Sequence, residues 1–124
     1  IKINTPNAPV PLARYSQGII AGNLVFVSAM LGQDMVTGKL ITENIEAETR
    51  QVMENIKAIL AEAGAGFGNV VKASIFLKDM QDYASVNAIY GNYVIEPFPA
   101  RETIQVGALP MNVNVEISVI AVKT

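Results

Sequence analysis

The chain has 124 residues, of which 9 are basic and 11 acidic, and its pI is near 5.0. This length is typical of one domain, and an acidic balance without runs of Lys or Arg lacks the electrostatic footprint of a nucleic-acid-binding protein. The sequence contains no Cys and no His, which excludes a thiol nucleophile, a Ser-His-Asp triad and the usual soft metal ligands, so we expect neither a metal nor a cofactor.

The first third of the chain predicts strands. Residues 1–12 contain three prolines, which favours an extended arm on the surface over a helix. Residues 16–20 and 24–28 flank Ala21-Gly22-Asn23, a turn that tolerates positive φ, so they predict a hairpin. A turn at residues 34–38 precedes a short third strand at residues 39–41.

The middle of the chain alternates helix and strand. Apolar residues recur at helical spacing from about Ile45 until Gly64, which suits the left-handed conformation of a helix C-terminus. A strand follows at residues 71–77, where one buried face is predicted because Val71, Ala73, Ile75 and Leu77 alternate with Lys72, Ser74, Phe76 and Lys78. Asp79 or Asp82 can cap a second helix that extends to about Val94. The opposite face of the first helix carries Glu48, Arg50, Glu54, Lys57 and Glu62.

Two strands are predicted at the end of the chain, over residues 101–106 and 111–122, joined by Gly107-Ala108-Leu109-Pro110. If this loop closes a regular hairpin, the register places Arg101 opposite Glu116. The order of elements is then βββαβαββ. We therefore predict an α+β fold, with a mixed sheet and two helices packed on one of its faces.

Glu116 stands in mid-strand among β-branched residues, and two interpretations are open. It is either an exposed or ion-paired carboxylate, or a partly desolvated acid or base. Its predicted neighbour Arg101 is correspondingly either its cross-strand ion partner or a guanidinium that binds a substrate carboxylate. The glycines of residues 64–68 follow a helix and precede a strand, the reverse of a dinucleotide site, so they indicate a cap and connector.

The segment Phe98-Pro99-Ala100-Arg101, followed by Val106, Leu109-Pro110 and Val115-Glu116-Ile117, resembles the signature of the Rid family, also called YjgF. Other segments that resemble the family extend over nearly the whole chain. They are Tyr15-Ser16-Gln17, Val27-Ser28, Asn69-Val70-Val71-Lys72 and Val86-Asn87-Ala88-Ile89-Tyr90.

The resemblance implies a chorismate-mutase-like fold, one Rid-type domain over residues 1–124, and a homotrimer with active sites in the clefts between subunits. It implies that Arg101 holds the substrate carboxylate and that Glu116 positions or activates water. The residues that line the pocket are then Tyr15, Ser28, Asn87 and Thr103. The implied reaction is hydrolysis of 2-imino or 2-enamino acids to 2-keto acids and ammonia, which needs no metal and no covalent intermediate.

Two other functions stay open. A regulatory protein could bind 2-keto acids in the same cleft without catalysis, and ribonuclease activity is a third class, which the acidic pI and the lack of His disfavour. Three positions depart from the family pattern and affect the expected substrate preference. Arg14 follows Ala13 where Gly-Pro is usual, Ala29 stands where Gly is common, and Glu102 stands where a small residue is usual.

Charged residues make up 16% of the chain, and the mean hydropathy is +0.34. So few charged residues cannot cover the surface of an isolated domain, so we expect part of the surface to be buried against copies of the same chain. The uncharged residues 15–33 predict the hairpin rather than a membrane span, because polar residues and a turn interrupt them. No signal-peptide pattern is visible, so the expected location is the cytoplasm, with a leader removed before Ile1 as the alternative.

Overall fold

Six strands and two α-helices form the structure, a computed structural model that describes residues 1–124. The strands are β1 (Lys2–Ile3), β2 (Gly18–Ala21), β3 (Leu24–Met30), β4 (Val70–Leu77), β5 (Ala100–Gln105) and β6 (Val115–Val122). The helices are α1 (Ile45–Glu62) and α2 (Tyr83–Tyr90). They pack on one face of a single mixed sheet, as predicted.

The order βββαβαββ is confirmed. Its first strand, however, is Lys2–Ile3, which was not predicted, and the predicted third strand is absent. Lys2–Ile3 pairs with β2, so the arm begins as an edge strand. The predicted strand at residues 39–41 is wrong, since only an isolated bridge joins Gln33 and Leu40. The Asp34 carboxylate accepts hydrogen bonds from the amides of Val36 and Thr37, which folds this segment into a loop.

The predicted hairpin between the last two strands is also wrong. The strand order is β1-β2-β3-β6-β4-β5, in which β5 pairs only with β4 and does so in parallel. β6 lies between β3 and β4 and is antiparallel to both. Residues 107–114 therefore pass across the carboxyl end of β4 rather than closing a hairpin turn, and they include Met111 and Asn112 with φ of 55° and 56°.

The helix α1 follows the prediction closely. Asn44 caps it by accepting a hydrogen bond from the amide of Ala47 at 2.7 Å, and Gly64 follows its end with φ of 76°. Its apolar residues enter the core, but Glu48 was wrongly predicted on the charged face, because it is only 1% exposed. The two Glu48 carboxylate oxygens accept hydrogen bonds from the backbone and side-chain nitrogens of Asn114, each at 2.8 Å, just before β6.

Two smaller boundaries also differ from the prediction. The helix α2 ends at Tyr90 rather than near Val94, and the Asp79 side chain caps the short 3-10 turn before it. In β4 a register shift between Val70 and Lys72 buries Val70 and leaves Val71 exposed, which moves the start of the buried row by one residue. Neither helix is long and apolar enough to span a membrane.

The open face is the side of the sheet that faces away from the helices. It includes the row formed by Ile19, Phe26 and Ile120, which are paired across β2, β3 and β6. Phe26 is 40% exposed, and Ile104 on β5 is 45% exposed. The chain therefore leaves part of one sheet face both apolar and uncovered.

Gln17 ties the N-terminal arm to the sheet. Its buried side chain accepts a hydrogen bond from the Thr5 amide at 2.8 Å and donates to the carbonyl oxygens of Thr5, Ala8 and Pro9 at 2.9 to 3.1 Å. One side-chain amide thus contacts four backbone groups of an arm that forms only a two-residue strand, and its two N–H hydrogens are shared among three carbonyl oxygens.

We predict that Gln17→Leu lowers the free energy of unfolding by about 2–3 kcal/mol, because it leaves buried backbone groups without partners. Urea denaturation monitored by circular dichroism measures this change. Gln81→Leu is the matched control, since Gln81 is exposed and its side chain makes no hydrogen bond within the chain. Equal stabilities of the two variants would show that the arm does not depend on Gln17.

Candidate active site

Arg101 is the second residue of β5 and pairs in register with the buried Ala73, so its side chain lies on the helix side of the sheet. The two terminal nitrogens of its guanidinium donate hydrogen bonds to α2. Nη1 donates to Asn87 Oδ1 at 2.7 Å, and Nη2 donates to the Tyr83 hydroxyl at 2.8 Å. The guanidinium carbon also lies 5.0 Å from the centroid of the Tyr90 ring, within cation–π range.

The guanidinium borders a cleft of about 310 Å³. The cleft is lined by Asn87, Tyr90, Gly91, Val94, Phe98, Pro99 and Arg101. Both acceptors that hold Arg101 are neutral, and the only ion pair between side chains joins Lys72 and Glu102. The positive charge of Arg101 is therefore oriented but not neutralised within the chain, an arrangement suited to a ligand with a carboxylate.

Glu116 lies on the open face, because it pairs in register with Phe76 between the buried residues Val115 and Ile117. The side chain is half-buried, and this burial raises the pKa of its carboxyl group above the ordinary 4.5. No basic side chain lies within ion-pair distance of it. Glu116 is therefore a partly desolvated carboxylate without a cation partner in its own chain.

The predicted cross-strand pair of Arg101 and Glu116 is consequently wrong. Their strands are separated by β4, which places the two residues roughly 10 Å apart across the sheet and roughly 10 Å apart along it. Their side chains also lie on opposite faces. The hairpin register failed because it assumed that consecutive strands are neighbours, whereas β6 pairs on the far side of β4.

Ser28 lies in β3 at a register shift between Val27 and Met30, and its hydroxyl donates a hydrogen bond to the Ser16 carbonyl at 2.6 Å. Tyr15 precedes β2, is about half exposed, and borders a smaller pocket of about 40 Å³. Bulges of this kind redirect side chains and are common beside functional sites. These two candidates thus lie at one end of the β2–β3 hairpin.

Asn87 and Thr103 lie on the same side of the sheet as Arg101. Asn87 contacts the guanidinium directly, as described above. Thr103 pairs with Ile75, and its hydroxyl oxygen is buried without a hydrogen-bond partner. Thr103 therefore contributes no exposed polar atom to the cleft of this chain.

The candidate residues thus form three groups: Arg101 with Asn87 and Thr103, Tyr15 with Ser28, and Glu116 alone on the open face. β3 and β5 are three strand spacings apart, roughly 14 Å. A three- or four-carbon acid cannot span that separation, so one chain does not bring the groups together around a small ligand.

Sequence reasoning missed Tyr83 and Tyr90 as neighbours of Arg101. The sequence spacing could have identified them, because Tyr83, four residues before Asn87, and Tyr90, three residues after it, share its face of a helix. In contrast, the interpretation of the glycines after α1 as cap and connector is confirmed, since they join α1 to a short 3-10 turn before β4.

Glu102 departs from the family pattern, and alternation along β5 places its side chain on the face opposite that of Arg101. Glu102 lies on the open face, where its carboxylate accepts a hydrogen bond from Ser74 and pairs with Lys72 at 3.0 Å. The Ser74 hydrogen bond, followed by the contact with Lys72, lowers the pKa of Glu102, in contrast to that of Glu116.

The chain is similar to known proteins over nearly its whole length. Residues 5–123 match the model of the family described as Endoribonuclease L-PSP. The chain is 47% identical over 96% of its length to the Reactive Intermediate Deaminase A, chloroplastic, of Arabidopsis thaliana, of which it covers 64%. It is 41% identical to the 2-iminobutanoate/2-iminopropanoate deaminase of Salmonella typhimurium, with 98% of the chain and 96% of that protein covered.

Among solved structures, RidA from the Antarctic bacterium Psychrobacter superposes with a TM-score of 0.94 at 41% identity, with 98% of both chains covered. The structure is an α+β fold in which Arg101 lies beside a cleft. The chain belongs to the Rid (YjgF) family, whose model is the one described as Endoribonuclease L-PSP.

We predict that the carboxyl group of Glu116 titrates above pH 4.5, as carbon-detected NMR can measure. A raised pKa in the folded state stabilises the fold below the unfolded pKa, and that stabilisation is lost as the pH rises through the folded value. Glu116→Gln should therefore keep or increase stability at pH 7. Glu62→Gln, an exposed control, should change nothing. A clear loss of stability at pH 7 in Glu116→Gln alone would indicate a structural carboxylate.

Proposed function

We propose that this protein hydrolyses 2-imino and 2-enamino acids, such as 2-aminoacrylate, to 2-keto acids and ammonia. The observation that carries the proposal is the guanidinium of Arg101, which two neutral acceptors orient beside a cleft without neutralising its charge. The relatives support it, since two of them, at 41% and 47% identity, are named deaminases.

Arg101 is the proposed anchor for the substrate carboxylate. A guanidinium has five N–H donors, and the hydrogen bonds to Asn87 and Tyr83 use two of them. The remaining donors can bind a carboxylate bidentately, which fixes the position of the adjacent C2 atom. Holding C2 in place converts attack by a bound water into an effectively unimolecular step.

Glu116 is the proposed general base and general acid of the reaction. A 2-enamino acid first takes a proton at C3 and becomes the imine. The oxygen of water then bonds to C2 of the protonated imine while Glu116 takes one water proton, and the C=N double bond becomes a single bond, which leaves OH and NH2 on C2. Glu116 returns its proton to the nitrogen, the C–N bond breaks and ammonia leaves, while the hydroxyl gives its proton to Glu116 and becomes the keto oxygen. The raised pKa of Glu116 suits a group that both accepts and returns a proton.

We further propose that the complete site lies between subunits of a homotrimer. Arg101 and Glu116 lie on opposite faces of the sheet, so a second copy must supply the other half of the site. The apolar residues of the open face support burial against copies of the chain. In this arrangement Tyr15 and Ser28 line the same cleft as Glu116 or Arg101 of a neighbouring subunit.

Multi-angle light scattering at micromolar concentration should therefore give three times the chain mass of 13.3 kDa. The physical reason is that an isolated chain leaves part of its sheet face exposed and its candidate residues apart. A monomeric mass under these conditions would remove the second wall of the proposed site.

The Arg101 variants test the reaction itself. With freshly generated 2-aminoacrylate, Arg101→Ala should reduce kcat/KM at least roughly tenfold to a hundredfold, and Arg101→Lys should restore only part of it. Ammonia and keto-acid release measure the rate against the spontaneous reaction. Arg50→Ala is the matched control, because Arg50 is exposed on α1. Near-normal hydrolysis by a folded, oligomeric Arg101→Ala would contradict the proposal.

The same assay separates the alternatives. A regulatory protein would bind a 2-keto acid but release no ammonia above the spontaneous rate. Ribonuclease activity, named in the family description, would appear as RNA cleavage that weakens with salt. We do not propose it, because the chain has no His and its pI is about 5.0.

A further inference from the structure

We infer that Tyr83 is a positioning residue that fixes the orientation of the Arg101 guanidinium for carboxylate substrates, an inference that rests on the proposed function. The Tyr83 hydroxyl accepts the hydrogen bond of Nη2 at 2.8 Å. Its ring centroid also lies 5.7 Å from the guanidinium carbon. Tyr83 thus contacts Arg101 both through its hydroxyl and through its ring.

Two acceptors on α2 fix the orientation of the guanidinium, which a single acceptor would not do. Asn87 binds Nη1 and Tyr83 binds Nη2, from positions one helical turn apart. With Asn87 alone, the guanidinium could rotate about that single hydrogen bond. With both acceptors in place, the plane of the guanidinium is defined, and a bidentate carboxylate requires a defined plane.

The hydroxyl of Tyr83 has no other evident role in the fold. The side chain is 42% exposed, and the residues that α2 buries are Val86, Ile89 and Tyr90. The bond to Arg101 is the only hydrogen bond of this hydroxyl within the chain. Its contribution is therefore expected at the guanidinium rather than in the core.

A neutral phenol also suits the chemistry better than a carboxylate would. An Asp or Glu at this position would orient Arg101 but would neutralise its charge, and so compete with the substrate. The phenol oxygen accepts a hydrogen bond and leaves the positive charge available. The expected consequence is a preference for the acid over an uncharged analogue, such as the amide of a 2-keto acid.

Tyr83→Phe tests this inference because it keeps the ring and removes only the hydroxyl. We expect KM for a 2-imino acid to rise about 3- to 10-fold, the range for one lost hydrogen bond, while kcat changes less than about twofold. Calorimetry should show the same loss in the preference for 2-ketobutanoate over its amide. Thermal unfolding and oligomer mass should not change.

Tyr93→Phe is the matched control. The Tyr93 hydroxyl donates a hydrogen bond of 2.8 Å to Glu54, away from Arg101. The substitution therefore removes one tyrosine hydrogen bond at a different place. It should leave KM, kcat and the acid preference unchanged. If Tyr83→Phe matches the wild type in KM and acid preference, or loses kcat and thermal stability together, the inference is overturned.

A measurement without substrate distinguishes failure of the inference from failure of the proposed function. The side-chain N–H protons of Arg101 should exchange with water faster in Tyr83→Phe than in the wild type, as NMR can detect in the free protein. If the wild type neither hydrolyses imino acids nor binds 2-ketobutanoate, the proposed function fails. Unchanged proton exchange in Tyr83→Phe would overturn the positioning role whether or not the protein is a deaminase.

Discussion

The position of β6 between β3 and β4 determines where the candidate residues lie. Its alternate residues, beginning with Val115 and Ile117, fill the core, so Glu116 must lie on the open face. The same placement moves β5 to the edge of the sheet, where Arg101 is accessible from a cleft. Glu48 holds the start of β6 through two hydrogen bonds to Asn114, which connects the register of this strand to α1.

Neither of the two charged candidate residues, Arg101 and Glu116, has an ionic partner within the chain. Arg101 is held by neutral acceptors, and Glu116 is half-buried beside apolar residues. Leaving opposite charges unpaired on a single chain costs stability that an internal ion pair could recover in part. In the proposed homotrimer, a substrate bound between two copies would contact both charges.

The sequence predicted the elements whose signals are local. The helical period of α1, its end at Gly64 and the alternation along β6 were all visible in a single segment. Strand pairing was not predictable in this way, because it depends on contacts between distant segments. Met111 is a residue without turn preference, so the sequence did not indicate its positive φ. It also did not indicate that the loop after β5 passes across the end of β4. Arg101 and Glu116 were identified as candidates, but their contacts required the fold.

Mixed oligomers test the central claim that Arg101 and Glu116 of different chains serve one site. Arg101→Ala and Glu116→Gln are each expected to be at least roughly tenfold less active than the wild type when assembled alone. When they are unfolded and refolded together in equal amounts, random assembly gives about one quarter of the clefts an intact residue from each side. Imine hydrolysis should then recover to about one quarter of the wild-type rate. No recovery above the sum of the separate variants, in oligomers shown to be mixed, would contradict a site shared between chains.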